Sequence, residues 1–191
     1  MVMIKIVRLY NPTRKEEVMI NLFAWASIGE NGKPVGGKKG DQSGKEVRVA
    51  PYYHFGQDKC IRIRNPSKQK KVAEVAKFLA ISNVVGYDQH TRTTLHNACK
   101  SYDWNWNLIK QAIVNGTFPL CNTDCSGYYA VCVNIAYGKE KLASDSTTRN
   151  LVKRCTVTNK VNFKLTKQFP PKKWKKGDAP IKEGKHIIIN V

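Results

Sequence analysis

Hydrophobic and polar residues repeat with different periods in different parts of the chain, and each period predicts its own kind of secondary structure. Alternating or β-branched runs predict strands in VRVAPYY (47–53), KCIRIR (59–64) and KHIIINV (185–191), with more strand-rich sequence in CTVTNKVNFKLT (155–166). A glycine-rich stretch with turn dipeptides, residues 29–46, precedes the first of these strands. The two ends of the chain are therefore expected to supply most of the sheet.

The middle of the chain has hydrophobic residues at helical spacing instead. The clearest pattern follows Pro66 in residues 67–82, and the residues predicted to face the core there are Val72, Val75, Ala76 and Leu79. Further helices are predicted over residues 87–101 and 104–116. Strands at both ends with helices between them indicate an α+β domain.

A fourth helix pattern begins at a cysteine. In NTDCSGYYAVCVNIAYG (122–138), Asp124 or Ser126 can cap the first turn. Cys125 then lies where backbone N–H groups and the positive end of the helix dipole favour a thiolate, so we expect a lowered pKa. The plain alternative is a small buried residue that fills a gap. The other cysteines (60, 99, 121, 132 and 155) have no such setting, and most of the six are expected to be reduced.

Charge is the most unusual bulk property of the sequence. Lys and Arg number 33 against 14 Asp and Glu, a formal net charge of +19, which attracts polyanions over long distances. No zinc-finger spacing, RNP-like motif or leucine zipper is present, so nothing in the sequence turns this charge into a nucleic-acid module, and teichoic acids, other anionic wall polymers and anionic membranes fit it equally well. The lysine run around Trp174 is interpreted as a solvated loop.

Neither a membrane span nor a phosphate-binding loop is predicted. No apolar run approaches the roughly 18 residues that a span needs, and the N-terminus lacks the apolar core of a signal peptide. The glycine-rich stretch does not have the spacing of a Walker loop. We expect a monomer that is made in the cytoplasm; if it works outside the cell, a route other than a standard signal peptide must take it there.

His186 is the best-placed candidate base. It starts the last predicted strand, shortly after Gly177 and Asp178, where a half-exposed imidazole can be oriented for proton transfer. A lone histidine is more often an ordinary surface residue. Its combination with Cys125 at a helix start, with strand-rich sequence between the two, is the stronger signal.

These residues carry a resemblance to a known family. TDCSGYYAVCVN (123–134) resembles the nucleophile motif of NlpC-type papain-like cysteine peptidases, and KKGDAPIKEGKHIIINV (175–191) resembles their later Gly-Asp, loop and His-strand sequence. WASIGENGKPVGGKKGDQSGKEV (25–47) and VGYDQHTRTTLHNA (85–98) are similar to a subgroup found in bacteriophage endolysins and related wall hydrolases. The resemblance spans residues 24–191 and leaves residues 1–23 as an N-terminal extension.

The resemblance implies a papain-like fold, with an antiparallel sheet packed on helices, and peptidoglycan hydrolysis at an amide of the stem peptide or cross-bridge. It makes Cys125 the nucleophile and His186 its proton-transfer partner. It places Asp124 and Ser126 beside the substrate, near a stem-peptide amine, although helix capping explains both residues equally well. It implies no metal and no cofactor.

A third polar residue that orients His186 is not evident, because the chain ends five residues after it. We predict that residues 24–50 pack beside the last strand, and that Asp41 or Gln42 extends into the cleft to orient the imidazole or bind substrate. A turn in which Asp41 bonds only to its own backbone is the structural alternative.

Three other functions stay open at this point. One is an amidase of the related CHAP group, which uses the same Cys and His. Another is an interbacterial toxin or tail-associated hydrolase with the same chemistry. The last is a non-enzymatic basic module that binds wall polymer or nucleic acid.

Overall fold

The computed structural model describes residues 21–167 and 173–191. Its strands are β1 (Leu22–Ala26), β2 (Val47–Pro51), β3 (Lys59–Ile63), β4 (Val85–Tyr87), β5 (Cys121–Thr123), β6 (Phe163–Lys167), β7 (Ala179–Lys182), β8 (His186–Ile187) and β9 (Ile189–Asn190). Its helices are α1 (Pro66–Leu79), α2 (Thr94–Lys100), α3 (Trp106–Val114), α4 (Cys125–Tyr137) and α5 (Leu151–Lys153). The expected N-terminal extension lies almost entirely outside the described residues.

The strands form three small groups. One antiparallel sheet has the order β2-β1-β9, a second has the order β6-β3-β7-β8, and β4 pairs with β5 in parallel. The predicted α+β class is confirmed. The prediction of one antiparallel sheet is too simple, because the strands divide between two antiparallel sheets and a parallel pair.

Helices α1 and α4 pack together at the centre of the molecule. The helix predicted after Pro66 is present, with Asn65 as its N-cap, and Val72, Val75, Ala76 and Leu79 are all buried as expected. The Tyr128 hydroxyl of α4 donates a hydrogen bond to the Ala76 carbonyl. Every residue of α4 from 125 to 136 is buried, so this helix has no solvent face and is the core element around which the sheets are arranged.

Tertiary pairing shortened one predicted helix. Within the segment 87–101, Tyr87 belongs to β4, and helix α2 starts only at Thr94. The Asp88 carboxylate accepts hydrogen bonds from the backbone N–H of His90 (3.1 Å) and from the Thr91 hydroxyl (2.6 Å). This aspartate-centred turn competes with helix formation and separates the strand from the helix.

Two strand predictions near the C-terminus also changed. Residues 155–158, the start of the strand-rich segment, belong to a π-helical turn over residues 154–158, and strand β6 begins only at Phe163. The predicted strand 185–191 is divided into β8, which pairs with β7, and β9, which pairs with β1. The chain thus crosses from one antiparallel sheet to the other at Ile188.

The Gly177–Asp178 turn is a structural centre of the C-terminal region. Asp178 is fully buried and accepts hydrogen bonds from Arg62 Nε (2.6 Å) and Gln69 Nε2 (3.0 Å). Gly177 has φ +84°, and a Cβ there would lie 2.1 Å from the Gln69 carbonyl oxygen, so no other residue fits without movement.

The interpretation of Trp174 as part of a solvated loop is wrong. Its side chain is only 7% exposed, and its ring lies edge-on to Phe23 (5.1 Å between centroids) and Tyr52 (4.7 Å). The ring therefore anchors the lysine-rich segment to β1.

Candidate active site

Cys125 begins α4, and the predicted cap is confirmed. Asp124 has an extended backbone, and its Oδ1 accepts hydrogen bonds from the Gly127 N–H (2.6 Å) and the Ser126 hydroxyl (2.9 Å). Ser126 therefore supports the cap and does not form it. These bonds fix the helix start on which the thiol stands.

Arg92 holds the other side of the same carboxylate. Its guanidinium forms an ion pair with Asp124 Oδ2 and donates to the backbone carbonyls of Ser146 (2.8 Å) and Ser144 (3.3 Å). The Asp124 carboxylate is thus occupied by groups of the protein itself. Its role and that of Ser126 in binding a substrate amine stay predictions.

His186 lies at the first position of β8 and is surrounded by aromatic rings. The Phe55 ring is nearly perpendicular to the imidazole at a centroid distance of 5.3 Å, and the Tyr53 ring is tilted at 6.3 Å. Nε2 is buried, and no side chain or backbone group of the described residues hydrogen bonds to it. This nitrogen is therefore available to exchange a proton.

The two predicted catalytic residues belong to elements that meet. Helix α4 packs against β8, and the backbone of Ile187, the residue after His186, lies close enough to the Cys125 sulfur to act against the rise in its pKa. The fold thus brings the helix start and the histidine strand together across 61 residues of sequence.

The ionisation of the pair differs from the sequence-based expectation. Burial raises the pKa of the Cys125 thiol to about 12, with a further contribution from the negative charge of Asp124, and the backbone N–H groups only partly oppose this. Burial likewise lowers the pKa of His186 to about 4, against the attraction of Asp124. The expected lowered pKa of Cys125 is therefore wrong: both groups are neutral near pH 7 because desolvation outweighs the helix dipole.

Two tyrosines, Tyr53 and Tyr87, lie near enough to the Cys125 thiol to interact with its charge. Burial raises the pKa of Tyr53, and that of Tyr87 to about 12, and a negative charge on Cys125 would raise both further. Tyr53, Phe55, Tyr87 and Arg92 were not singled out from the sequence. Tyr87 and Arg92 lie in the segment 85–98, whose similarity to wall hydrolases was the one available signal.

Asp41 and Gln42 make their hydrogen bonds away from the candidate active site. Asp41 Oδ1 accepts from the backbone N–H (2.9 Å) and the hydroxyl of Ser43, as the structural alternative proposed. Gln42 bridges three backbone groups: its Nε2 donates to the carbonyls of Val47 and Leu79, and its Oε1 accepts from the N–H of Val85. None of their described hydrogen bonds involves Cys125 or His186, so their predicted role in substrate binding stays untested.

The segment 24–50 does adjoin the last strand, through β1. Phe23 and Ala24 pair with Asn190 and Ile189, so β1 covers the edge of β9. The glycine-rich part packs elsewhere, on β4. Gly37 lies so close to it that a Cβ would sit 2.0 Å from the Tyr87 carbonyl oxygen.

Residues 21–167 and 173–191 contain neither a metal-binding cluster nor a helix that could span a membrane. No group of three or more His, Cys, Asp and Glu side chains there could hold a metal ion. No helix in that part of the chain is long and apolar enough to cross a membrane. The six cysteines are free and buried.

Comparison with protein families gives one result. The model of the endolysin-like domain matches residues 23–191, nearly the whole chain. The chain belongs to the endolysin-like domain family. Membership of this family indicates a lytic function on the bacterial cell wall, with peptidoglycan as the substrate. Comparisons with curated proteins and with solved structures gave no match.

Proposed function

We propose that this endolysin-like domain hydrolyses an amide of peptidoglycan with Cys125 as nucleophile and His186 as general base and acid. The observation that carries the proposal is the packing of α4 against β8, because it brings the histidine strand to the helix that begins at Cys125. A thiol at a helix start and an unpartnered imidazole nitrogen on the strand that packs against this helix are the groups that this chemistry needs. The proposed overall fold is papain-like.

The neutral resting state determines the order of the proton transfers. As Cys125 Sγ attacks the amide carbonyl carbon, its proton moves to His186, the S–C bond forms, and the carbonyl π electrons move to oxygen. The imidazolium then gives its proton to the amide nitrogen while the C–N bond breaks, which leaves a thioester. Water, deprotonated by His186, releases the acid and restores the thiol.

Backbone groups and one fixed charge support these steps. The N–H groups at the start of α4, including that of Cys125, point towards the site where the carbonyl oxygen becomes negative, and they stabilise it. The Asp124 carboxylate attracts a positively charged His186, so it stabilises the imidazolium that forms during attack. Arg92 keeps that carboxylate in place.

The scissile bond is proposed to be an amide of the stem peptide or cross-bridge, and the runner-up is the amide between the lactyl group and L-Ala. Both reactions use the same Cys125 and His186. Mass spectrometry of digested muropeptides separates them. A new amine within the stem indicates an endopeptidase, a released lactyl group and L-Ala indicate an amidase, and the absence of products indicates a binding module.

Site-directed variants test the roles directly. Cys125→Ala and His186→Gln should each lower wall lysis by at least about a thousandfold while the protein stays folded. Cys132→Ala is the matched control, because this cysteine lies on the same helix two turns away, and it should keep its activity. Lysis by Cys125→Ala at the rate of the natural protein contradicts the proposal.

Surface charge is proposed to concentrate the enzyme on the anionic wall. With a net charge of +19, lysis of whole walls should fall steeply between low salt and physiological salt, where the screening length is about 8 Å. Cleavage of a small soluble stem peptide should fall much less. If wall lysis and peptide cleavage fall equally with increasing salt, this part of the proposal is contradicted.

A further inference from the structure

Phe55 packs edge-on against the imidazole of the candidate base. We propose that Phe55 is the positioning residue of His186, and that ring packing in this protein replaces the polar third member of a Cys-His site. The inference rests on the proposed function of His186. It assigns a role to the irregular segment between β2 and β3, residues 52–58, which carries Phe55.

The ring geometry supports this role. The rings of Phe55 and His186 cross at 79° with centroids 5.3 Å apart, an edge-to-face contact of the kind that aromatic pairs prefer. Tyr53 forms a second contact with the imidazole at 6.3 Å and packs on Phe55 at 5.6 Å. Tyr53 also packs on the buried Trp25 at 5.2 Å, which connects this group of rings to β1.

No polar group of the described residues does the same work. The His186 imidazole makes none of the described hydrogen bonds, and its Nε2 is buried without a partner. Asp124 acts on it through charge alone. Lys182, opposite His186 in the β7–β8 register, extends its ammonium to Asp58 at 3.1 Å. Packing is therefore the interaction that remains to fix the ring.

The backbone around Phe55 is itself held in place. The Phe55 N–H donates to Gln57 Oε1 (3.2 Å), and Gln57 Nε2 donates to the Tyr52 hydroxyl. Gln57 is buried at 2% exposure, and Gly56 between them has φ +77°, which a residue with a side chain rarely adopts. A local turn thus presents Phe55 to the imidazole.

Three variants test the role. Phe55→Ala should lower kcat for a soluble stem peptide about 3- to 10-fold with little change in KM, because the imidazole loses its preferred orientation. Phe55→Tyr keeps the ring and should restore kcat to within about twofold. Phe78→Ala is the matched control, since Phe78 is also half-buried and lies edge-on to Trp106 at 5.3 Å, and it should leave kcat unchanged.

NMR titration of His186 supplies a readout that does not depend on activity. In Phe55→Ala, water should enter beside the imidazole, so its pKa should rise from about 4 towards 6.5, whereas Phe55→Tyr and Phe78→Ala should leave it unchanged. An unchanged His186 titration in Phe55→Ala, or an equal loss of kcat in Phe78→Ala, overturns the inference. Failure of the proposed function appears separately, as undiminished lysis by Cys125→Ala.

Discussion

The two sides of the candidate active site are held by opposite kinds of interaction. On the α4 side, a buried carboxylate is satisfied by the helix N-terminus, a hydroxyl and the Arg92 guanidinium, which also binds two loop carbonyls. On the β8 side, the His186 imidazole packs against Phe55 and Tyr53 and receives no hydrogen bond from the described residues.

This difference separates two tasks. Directional polar bonds fix the position of the nucleophile, and they are costly to break because a charge is left buried. Ring packing is less directional, but it removes water from the base and so keeps it neutral. The site is therefore held by polar bonds at the thiol and kept free of water at the imidazole, where each proton transfer occurs.

Removing the Arg92–Asp124 ion pair on the α4 side should have the largest effect on stability. Arg92→Leu should lower the free energy of unfolding by about 3 kcal/mol, because the Asp124 carboxylate stays buried without its ion pair. Urea denaturation measures the change. Arg154→Leu is the matched control, since its partner Asp145 is 72% exposed, and it should cost less than about 1 kcal/mol. Equal losses in the two variants contradict the assigned importance of the Arg92 pair.

On the β8 side, the lowered pKa of His186 should make the stability of the protein depend on pH. Below pH 6.5 the unfolded chain protonates His186, whereas the folded protein does so only near pH 4, so unfolding becomes easier as pH falls through this window. Above pH 6.5 the contribution of His186 is constant. Two and a half pH units at about 1.4 kcal/mol each set an upper limit of about 3.5 kcal/mol.

Comparison with His186→Gln isolates this contribution, since His96, whose pKa burial also lowers, is present in both proteins. The free energy of unfolding of the natural protein should fall relative to that of His186→Gln as the pH is lowered from 7 to 4. A difference that stays constant with pH contradicts the neutral buried imidazole.

Thiol labelling sharpens the comparison, because it tests whether the Cys125 thiol on the α4 side is neutral when the His186 imidazole on the β8 side is also neutral. Cys125 is 8% exposed and the other five cysteines are at most 2% exposed, so iodoacetamide should label Cys125 first. Because its pKa is about 12, the rate should rise about tenfold per pH unit from pH 7 to pH 9. Peptide mapping gives the site and the rate. A pH-independent rate indicates a preformed thiolate.

The smallest effects are expected outside both sides, at Asp41 and Gln42. Gln42→Ala should cost about 1–2 kcal/mol, because it leaves three backbone groups without their partner, and Asp41→Ala should cost less than about 0.5 kcal/mol. If neither side chain contacts substrate, the double variant keeps its kcat on a soluble stem peptide. A tenfold loss of kcat in a folded double variant supports the sequence-based role.

Local sequence signals were sufficient where a residue and its partner are close along the chain. Proline after Asn65 and the stripe from Val72 to Leu79 predicted α1, and Asp124 before Cys125 predicted the cap of α4, because helix formation and capping involve residues at most four positions apart. Placement of Cys125 at a helix start follows from the same local rule. The strand-rich segment 155–166 followed local expectation only from Phe163, where β6 begins, since the β-branched residues of 155–158 fit a π-helical turn once the core is formed.

The sequence by itself thus determined the α+β class, the helix that begins at Cys125, and the excess of positive charge. Only the tertiary structure decided that Arg92 pairs with Asp124, that Phe55 packs on His186, and that the last strand is divided between two sheets. It also decided the ionisation of the pair. Sequence places the thiol in a helix dipole that favours its charge, but the depth of burial depends on every element that packs around it, and desolvation at that depth is the larger effect.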